Sequence, residues 1–82
     1  MGFLIIVKSI TYAQRASGIL SRNGISSNII KPPVSLGKGS CSYALKIAEK
    51  NPEKAVSALK RSNVPVSGVF AINGGNYKEV NV

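Results

Sequence analysis

Two segments of this chain, "LSRNGISSNII" from Leu20 and "LKRSNVPVSGV" from Leu59, align without gaps. A leucine, an arginine and an aliphatic residue recur at equivalent positions, and Gly24 is matched by Asn63. Glycine and asparagine are the residues that best tolerate the left-handed conformation in which helices end. The repeat therefore predicts two halves built on one plan, each with a helix that ends in this way and leads into a strand.

Hydrophobic spacing and helix signals predict the element order β-α-β-β-α-β. The predicted elements are a strand over residues 3–8, a helix over 11–24, strands over 25–31 and 41–48, a helix over 51–63 and a strand over 66–72. Thr11 and Gln14 form a capping box for the first helix, and Asn51 and Pro52 fit the N-cap and first position of the second. This order is typical of a ferredoxin-like α+β fold, a four-stranded antiparallel sheet with two helices on one face. We expect one domain over residues 1–82, in which residues 73–82 form a turn followed by a tail or a short edge strand.

Length and composition exclude several classes of protein. A chain of 82 residues makes one small domain, and none of its apolar runs approaches the roughly 20 residues that span a bilayer. The apolar stretch of "MGFLIIVKS" is too short, and lacks a preceding basic residue, for a signal peptide. The single cysteine excludes an internal disulfide and fits a reducing cytoplasm. The absence of histidine removes the commonest general base and metal ligand, so we expect neither a metal nor a cofactor.

The single cysteine, Cys41, lies in the stretch "GKGSCSYALKI", and two interpretations of it are open. In the first it is a small apolar residue that shares a strand face with Tyr43, Leu45 and Ile47. In the second it is a nucleophilic thiol on a glycine-rich loop, which can act as a carrier without a neighbouring histidine. The supporting loop in that case consists of Gly37, Lys38, Gly39, Ser40 and Ser42.

The predicted topology gives Cys41 an electrostatic environment. We expect the first and third strands to be parallel neighbours and both helices to run antiparallel to them, so that the loop before Cys41 lies where both helices end. Helix C-termini carry partial negative charge, which disfavours a thiolate. Arg22, Lys60 and Arg61, in the last turns of the helices, are therefore predicted to form a cationic surround that offsets this charge.

The chain carries 11 lysines and arginines against three acids, a net charge of +8, and this points to acidic partners. An acidic surface on a partner protein is one such partner. RNA-recognition domains share the element order but stack bases on aromatic residues of the open sheet face. The first and third strands offer only Phe3 and Tyr43 for base stacking, so we do not expect specific nucleic-acid binding. Electrostatic contact with phosphates is still an alternative. A third alternative is a small interaction or regulatory subunit, whose second sheet face, with Ser42 and Ala44, pairs with a partner or forms a homodimer.

Most of the chain resembles the small bacterial domains known as selenium/sulfur carrier-like proteins. The resemblance lies in the short opening strand, the "SITYAQRASGILSRNGI" helix, the strand that reaches Pro32-Pro33, and the "GSCSYALKI" segment with its following helix. In that family a proline-led loop introduces a cysteine, often followed by glycine, and Cys41 is the position that matches. The chain departs from the pattern at Ser42, which replaces the glycine, and at Val34, where an arginine often follows the proline.

The resemblance implies a carrier rather than an enzyme. Cys41 would accept a sulfane sulfur or selenium from a cysteine desulfurase-like donor, hold it as a persulfide or selenosulfide, and pass it to an acceptor protein by thiol exchange.

Overall fold

The computed structural model describes residues 2–31, 42–48 and 52–80. The elements are β1 (Gly2–Val7), α1 (Ile10–Arg22), β2 (Ser27–Ile30), β3 (Tyr43–Ile47), α2 (Pro52–Arg61), β4 (Gly68–Asn73) and β5 (Asn76–Glu79). They confirm an α+β fold with two helices and one antiparallel sheet. No helix among these residues has the length and apolar character needed to cross a membrane.

The sheet has five strands in the order β2-β3-β1-β4-β5, so the predicted number of four is corrected. The added strand, β5, forms a hairpin with β4 in which Ile72 lies opposite Tyr77. The two residues of the turn, Gly74 and Gly75, have φ of 57° and 90°. Positive φ at both central positions is what a tight two-residue hairpin turn requires, and glycine adopts it without strain.

The predicted parallel pairing of the first and third strands is wrong. β1 and β3 are antiparallel neighbours, with Phe3 opposite Ile47 and Val7 opposite Tyr43. The reason is topological: β2 and β3 are also antiparallel, and β3 lies between β1 and β2, so β1 and β2 share one direction. The start of β3 therefore lies beside the end of β1.

The repeat predicted from the sequence is confirmed as a shared helix-ending motif. The backbone N–H of Ile25 donates to the carbonyl of Leu20 at 2.9 Å, and that of Val64 donates to Leu59 at 3.0 Å. Gly24 and Asn63 stand at the equivalent left-handed position, with φ of 76° and 61°. These six-residue bonds satisfy carbonyls that a helix leaves unpaired at its C-terminus.

The predicted helix starts are confirmed only in part. α1 begins at Ile10, and its N-cap is Ser9, whose Oγ accepts a hydrogen bond of 3.2 Å from the N–H of Tyr12. The predicted Thr11 cap is wrong because Ser9 is the extended residue that precedes the helix, whereas Thr11 already lies inside it. α2 begins at Pro52 as predicted, and Asn51 lies outside the described residues.

Both helices pack on one face of the sheet. Alternate residues of β1 enter the helix-side core, which consists of Phe3, Ile5, Val7, Ala13, Ala16, Leu20, Ile25, Leu45, Ile47, Ala55, Val56, Leu59, Val64 and Val69. The intervening residues Leu4 and Ile6 form a second cluster with Ala44 on the opposite face. Because β1 is buried on both faces, it is the centre of the domain and fixes the strand ends that flank it.

Candidate functional site

Cys41 and the four predicted loop residues before it, Gly37, Lys38, Gly39 and Ser40, lie outside the described residues. The next residue, Ser42, is described: it is buried, 6% exposed, and directly precedes β3. The candidate site is therefore defined from Ser42 and its surroundings. We use the name Ser42 end for the end of the sheet at which β1 finishes at Val7 and β3 begins at Tyr43.

Two lysines that were not among the predicted site residues follow the strands that end here. Lys8 is exposed and comes directly after Val7, which pairs with Tyr43. Lys31 comes directly after β2, and its Nζ lies 4.3 Å from the centre of the Tyr43 ring, a cation–π contact. The signal that could have found both lysines is antiparallel pairing, which brings the residues after β1 and β2 close to the residue before β3.

The Ser42 end also holds the start of α1, because only Lys8 and Ser9 separate that helix from β1. The N-terminus of a helix carries partial positive charge and favours a nearby anion. The prediction that both helices end here is thus wrong for α1. Its direction follows from that of β1, whose end now lies beside the start of β3.

Arg22 is consequently separated from the Ser42 end. It occupies the last position of α1, and the chain continues from it into β2, whose first residue, Ser27, lies opposite Ile47 at the far end of β3. The parallel pairing from which Arg22 was placed in a cationic surround of Cys41 is thus wrong, and no described contact supports that role for Arg22.

Lys60 and Arg61 are exposed in the last turn of α2. From there the chain runs through residues 62–67 to β4, which begins at Gly68 opposite Ile6. The N–H of Ser67 donates to the carbonyl of Ile6 at 2.8 Å and attaches this connection one residue from Val7. The C-terminus of α2 therefore leads towards the Ser42 end, and the role of its two cations beside Cys41 stays a prediction.

The strand alternation that bears on Cys41 is confirmed where it is described. Leu45 and Ile47 are buried in the helix-side core, and the half-buried Tyr43 packs against it. Ala44 lies on the opposite face with Leu4 and Ile6. The predicted extension of this alternation to Cys41 lies outside the described residues, so the alternation supports the apolar interpretation only as far as Tyr43.

The open sheet face has its own character. Phe3 and Tyr43, the aromatic residues considered for base stacking, belong to the helix side. Phe70 packs on the open face, and Tyr77, which is 39% exposed, lies opposite Ile72 there. A cavity of about 570 Å³ on this face is lined by residues such as Lys46, and Ser42 is not among them. Among the described residues, no three histidine, cysteine or acidic side chains come together as metal ligands.

These features define a small α+β domain whose single cysteine immediately precedes a buried serine at one end of the sheet. A family model described as "Putative Se/S carrier protein-like" matches residues 2–71, a range that includes Cys41. The chain belongs to this family, which confirms the resemblance drawn from its sequence. No curated protein matches the chain, and no solved structure matches it either.

Proposed function

We propose that the protein is a sulfur or selenium carrier in which Cys41 holds the transferred atom. The observation that carries this proposal is the family match over residues 2–71, combined with the fact that Cys41 is the only thiol in the chain. A carrier needs one accessible nucleophile, because the enzymes that load and unload it supply the remaining chemistry. The proposal therefore requires neither a histidine nor a metal.

The proposed loading step is a thiol exchange. The Cys41 thiolate attacks the outer sulfur of a cysteine persulfide on a desulfurase-like donor; the new bond joins Cys41 Sγ to that sulfur, and the donor's S–S bond breaks. The donor leaves as a thiolate, so no external oxidant is consumed. An acceptor nucleophile then attacks the outer sulfur and releases Cys41 as a thiolate. Selenium follows the same course through a selenosulfide.

The surroundings of Ser42 support a reactive thiolate. Lys8, Lys31 and the N-terminus of α1 contribute positive charge at this end of the sheet, and positive charge favours the deprotonated, nucleophilic form of cysteine. The buried Ser42 gives the chain a fixed point directly after Cys41. A reducing cytoplasm, which we infer for a chain with one cysteine, would keep the thiol available for loading.

The fold supports the same proposal at a coarser level. The first six elements follow β-α-β-β-α-β, and their strand order is β2-β3-β1-β4, with β5 added at the edge. We infer a ferredoxin-like arrangement extended by one hairpin strand. In this arrangement the segment that carries Cys41 connects β2 to β3, two adjacent strands of the sheet.

The direct test is to incubate the protein with a cysteine desulfurase and cysteine, and then measure its intact mass without reductant. We expect an adduct of one additional sulfur atom that is absent from Cys41→Ser and that disappears with dithiothreitol. The absence of any Cys41-dependent adduct would refute the carrier function. Selenocysteine as the substrate of the same enzyme tests selenium.

The rate at which Cys41 reacts with iodoacetamide, measured between pH 6 and pH 9, separates a reactive thiol from a packed one. The reference is the same protein unfolded in urea, with the rate corrected for the effect of urea on a free thiol. A folded-state rate at neutral pH above the reference supports a carrier. A lower rate indicates that Cys41 is structural, as expected for a small interaction or regulatory subunit.

Nucleic-acid binding is the alternative function, and it is favoured by Phe70 and Tyr77, two aromatic residues on the open sheet face that could stack on bases. A titration of labelled single-stranded RNA at low and physiological salt tests it, because nonspecific phosphate contacts weaken steeply with salt. Binding that persists at physiological salt and is lost in Tyr77→Ala would favour this alternative over the carrier.

A further inference from the structure

A groove on the outer surface of the helices carries two arginines. It has a volume of about 400 Å³ and is lined by Gln14, Arg15, Gly18, Ile19, Arg22 and Ser62. We propose that this groove, which we call the Arg15–Arg22 groove, binds an acidic peptide segment of a partner protein. The inference goes beyond the proposed carrier function, since Arg15 and Arg22 lie on α1 and are not among the residues assigned to the Ser42 end.

The helix positions its two cations on one line. Arg15, Gly18 and Arg22 are spaced i, i+3 and i+7, which places them on one stripe of α1. The residues that α1 buries, Ala13, Ala16 and Leu20, turn to the sheet, and both arginines are exposed. At a rise of 1.5 Å per residue, the two arginines start about 10.5 Å apart along the helix axis.

Gly18 opens the centre of the groove. A Cβ atom added to it would have no other atom within 4 Å, so the backbone of α1 is uncovered between the two arginines. A bound chain can therefore approach the helix closely here. Ile19, which is half-buried, offers an apolar contact beside this opening, and Gln14 offers an amide for hydrogen bonds with a peptide backbone.

The charge of the groove selects an acidic ligand. Among the described residues that line it, none carries a carboxylate, and α1 itself contains no acidic residue. Elsewhere on the helix side of the sheet, α2 carries the exposed cations Lys54, Lys60 and Arg61 against the single acid Glu53. Guanidinium groups bind carboxylates through two parallel hydrogen bonds, which makes paired arginines suited to carboxylates at defined positions.

A peptide fits these features better than a nucleic acid does. Single-stranded nucleic acids are held by aromatic side chains as well as by charge, and none of the chain's two phenylalanines and three tyrosines lines the groove. A peptide in the polyproline II conformation has three residues per turn and rises about 3.1 Å per residue, so carboxylates at i and i+3 share one face about 9.3 Å apart, close to the spacing of the arginines. An apolar side chain between them projects to the side of that face, where it would contact Ile19 beside the opening. The preferred ligand is thus a segment in the polyproline II conformation with two acids in positions i and i+3 and an apolar residue between.

A titration followed by ¹⁵N-resolved NMR tests this proposal with the full chain. The probe is a blocked peptide that contains Glu-Leu-Ser-Glu. One control peptide replaces both glutamates with glutamine, and the other places the glutamates next to each other. We expect the backbone signals of Gly18, Ile19 and Ser62 to shift with the probe, and each control peptide to bind at least about threefold more weakly. Equal binding of the probe and the adjacent-glutamate peptide would overturn the specific groove in favour of diffuse attraction.

Three variants separate the groove from net charge. Arg15→Gln/Arg22→Gln should weaken binding about fivefold or more, whereas Lys46→Gln/Lys78→Gln, which removes the same charge from the sheet, should change it less than twofold. Gly18→Gln fills the groove at constant charge and should also weaken binding. Equal losses in the two double variants, or full binding by Gly18→Gln, would overturn the proposal.

Two further measurements complete the test. Cys41→Ser should bind the peptide as the natural chain does, so failure of sulfur loading and failure of peptide binding are independent results. A labelled single-stranded RNA that displaces the peptide, and whose own binding is lost in the Arg15/Arg22 double variant, would reassign the groove to nucleic acid.

Discussion

Replacing Gly18 with alanine should stabilise the domain. Gly18 lies inside α1, where glycine is less favourable than alanine by about 1 kcal/mol because it leaves more backbone freedom in the unfolded chain. A Cβ atom at this position meets no other atom within 4 Å, so no contact offsets the gain. With an unfolding entropy of about 2.1 cal/mol/K per residue, the 82-residue chain has roughly 170 cal/mol/K in total, and 1 kcal/mol raises the melting temperature by about 6 °C.

Gly24 provides the matched control, since a Cβ added to it also meets no atom within 4 Å. It differs from Gly18 in its φ of 76°, the left-handed conformation that costs an alanine about 1–2 kcal/mol. Gly24→Ala should therefore lower the melting temperature by about 6–12 °C. Thermal unfolding followed by circular dichroism, with urea titrations as a second measure, gives both values. Shifts of the same sign in the two variants would refute the reasoning, because backbone conformation alone distinguishes the two sites.

Three further predictions concern the cap, the core and the electrostatics of the Ser42 end. Ser9→Ala removes the N-cap of α1 and should lower the free energy of unfolding by about 1 kcal/mol in a urea titration; an unchanged midpoint would contradict this role. Leu59→Ala, at a fully buried position, should cost about 2–5 kcal/mol, and a loss below 1 kcal/mol would contradict the packing. Lys8→Gln/Lys31→Gln should slow alkylation of Cys41 at neutral pH and low salt about two- to fourfold, whereas Arg22→Gln should leave it unchanged. A larger effect of Arg22→Gln would restore the original placement of that residue.

Local sequence signals predicted the parts of the fold that depend on local physics. The match of Gly24 with Asn63 identified two helix ends, because few residue types adopt the left-handed conformation. Pro52 identified the start of α2, since proline lacks the N–H that the first turn of a helix leaves unpaired. Where one residue type or one period decides the structure, the sequence was sufficient.

The errors concern choices that depend on distant parts of the chain. The parallel pairing of the first and third strands was inconsistent with the predicted antiparallel sheet, in which the β2–β3 hairpin makes β3 antiparallel to β1 as well. The sequence is compatible with an N-cap at Ser9 or at Thr11, and the choice between them depends on where β1 ends. For residues 73–82 the sequence left a tail and a short edge strand open, because the four residues of β5 are exposed and carry no buried face that marks a strand.

The strand direction also changes what the repeated helix ends mean for function. Leu20 and Leu59 anchor the same local motif, but the chain leaves α1 towards the far end of β3 and leaves α2 towards the Ser42 end. Arg22 and Arg61 occupy equivalent positions in the repeat. Because the chain leaves the two helices towards opposite ends of the sheet, the two arginines are not equivalent in the domain. Arg22 joins Arg15 on the outer surface of α1, and positive charge at the Ser42 end comes instead from Lys8, Lys31 and the start of α1. Because these sources do not include the groove, the two proposals, sulfur transfer at Cys41 and binding of an acidic peptide in the groove, can be tested independently.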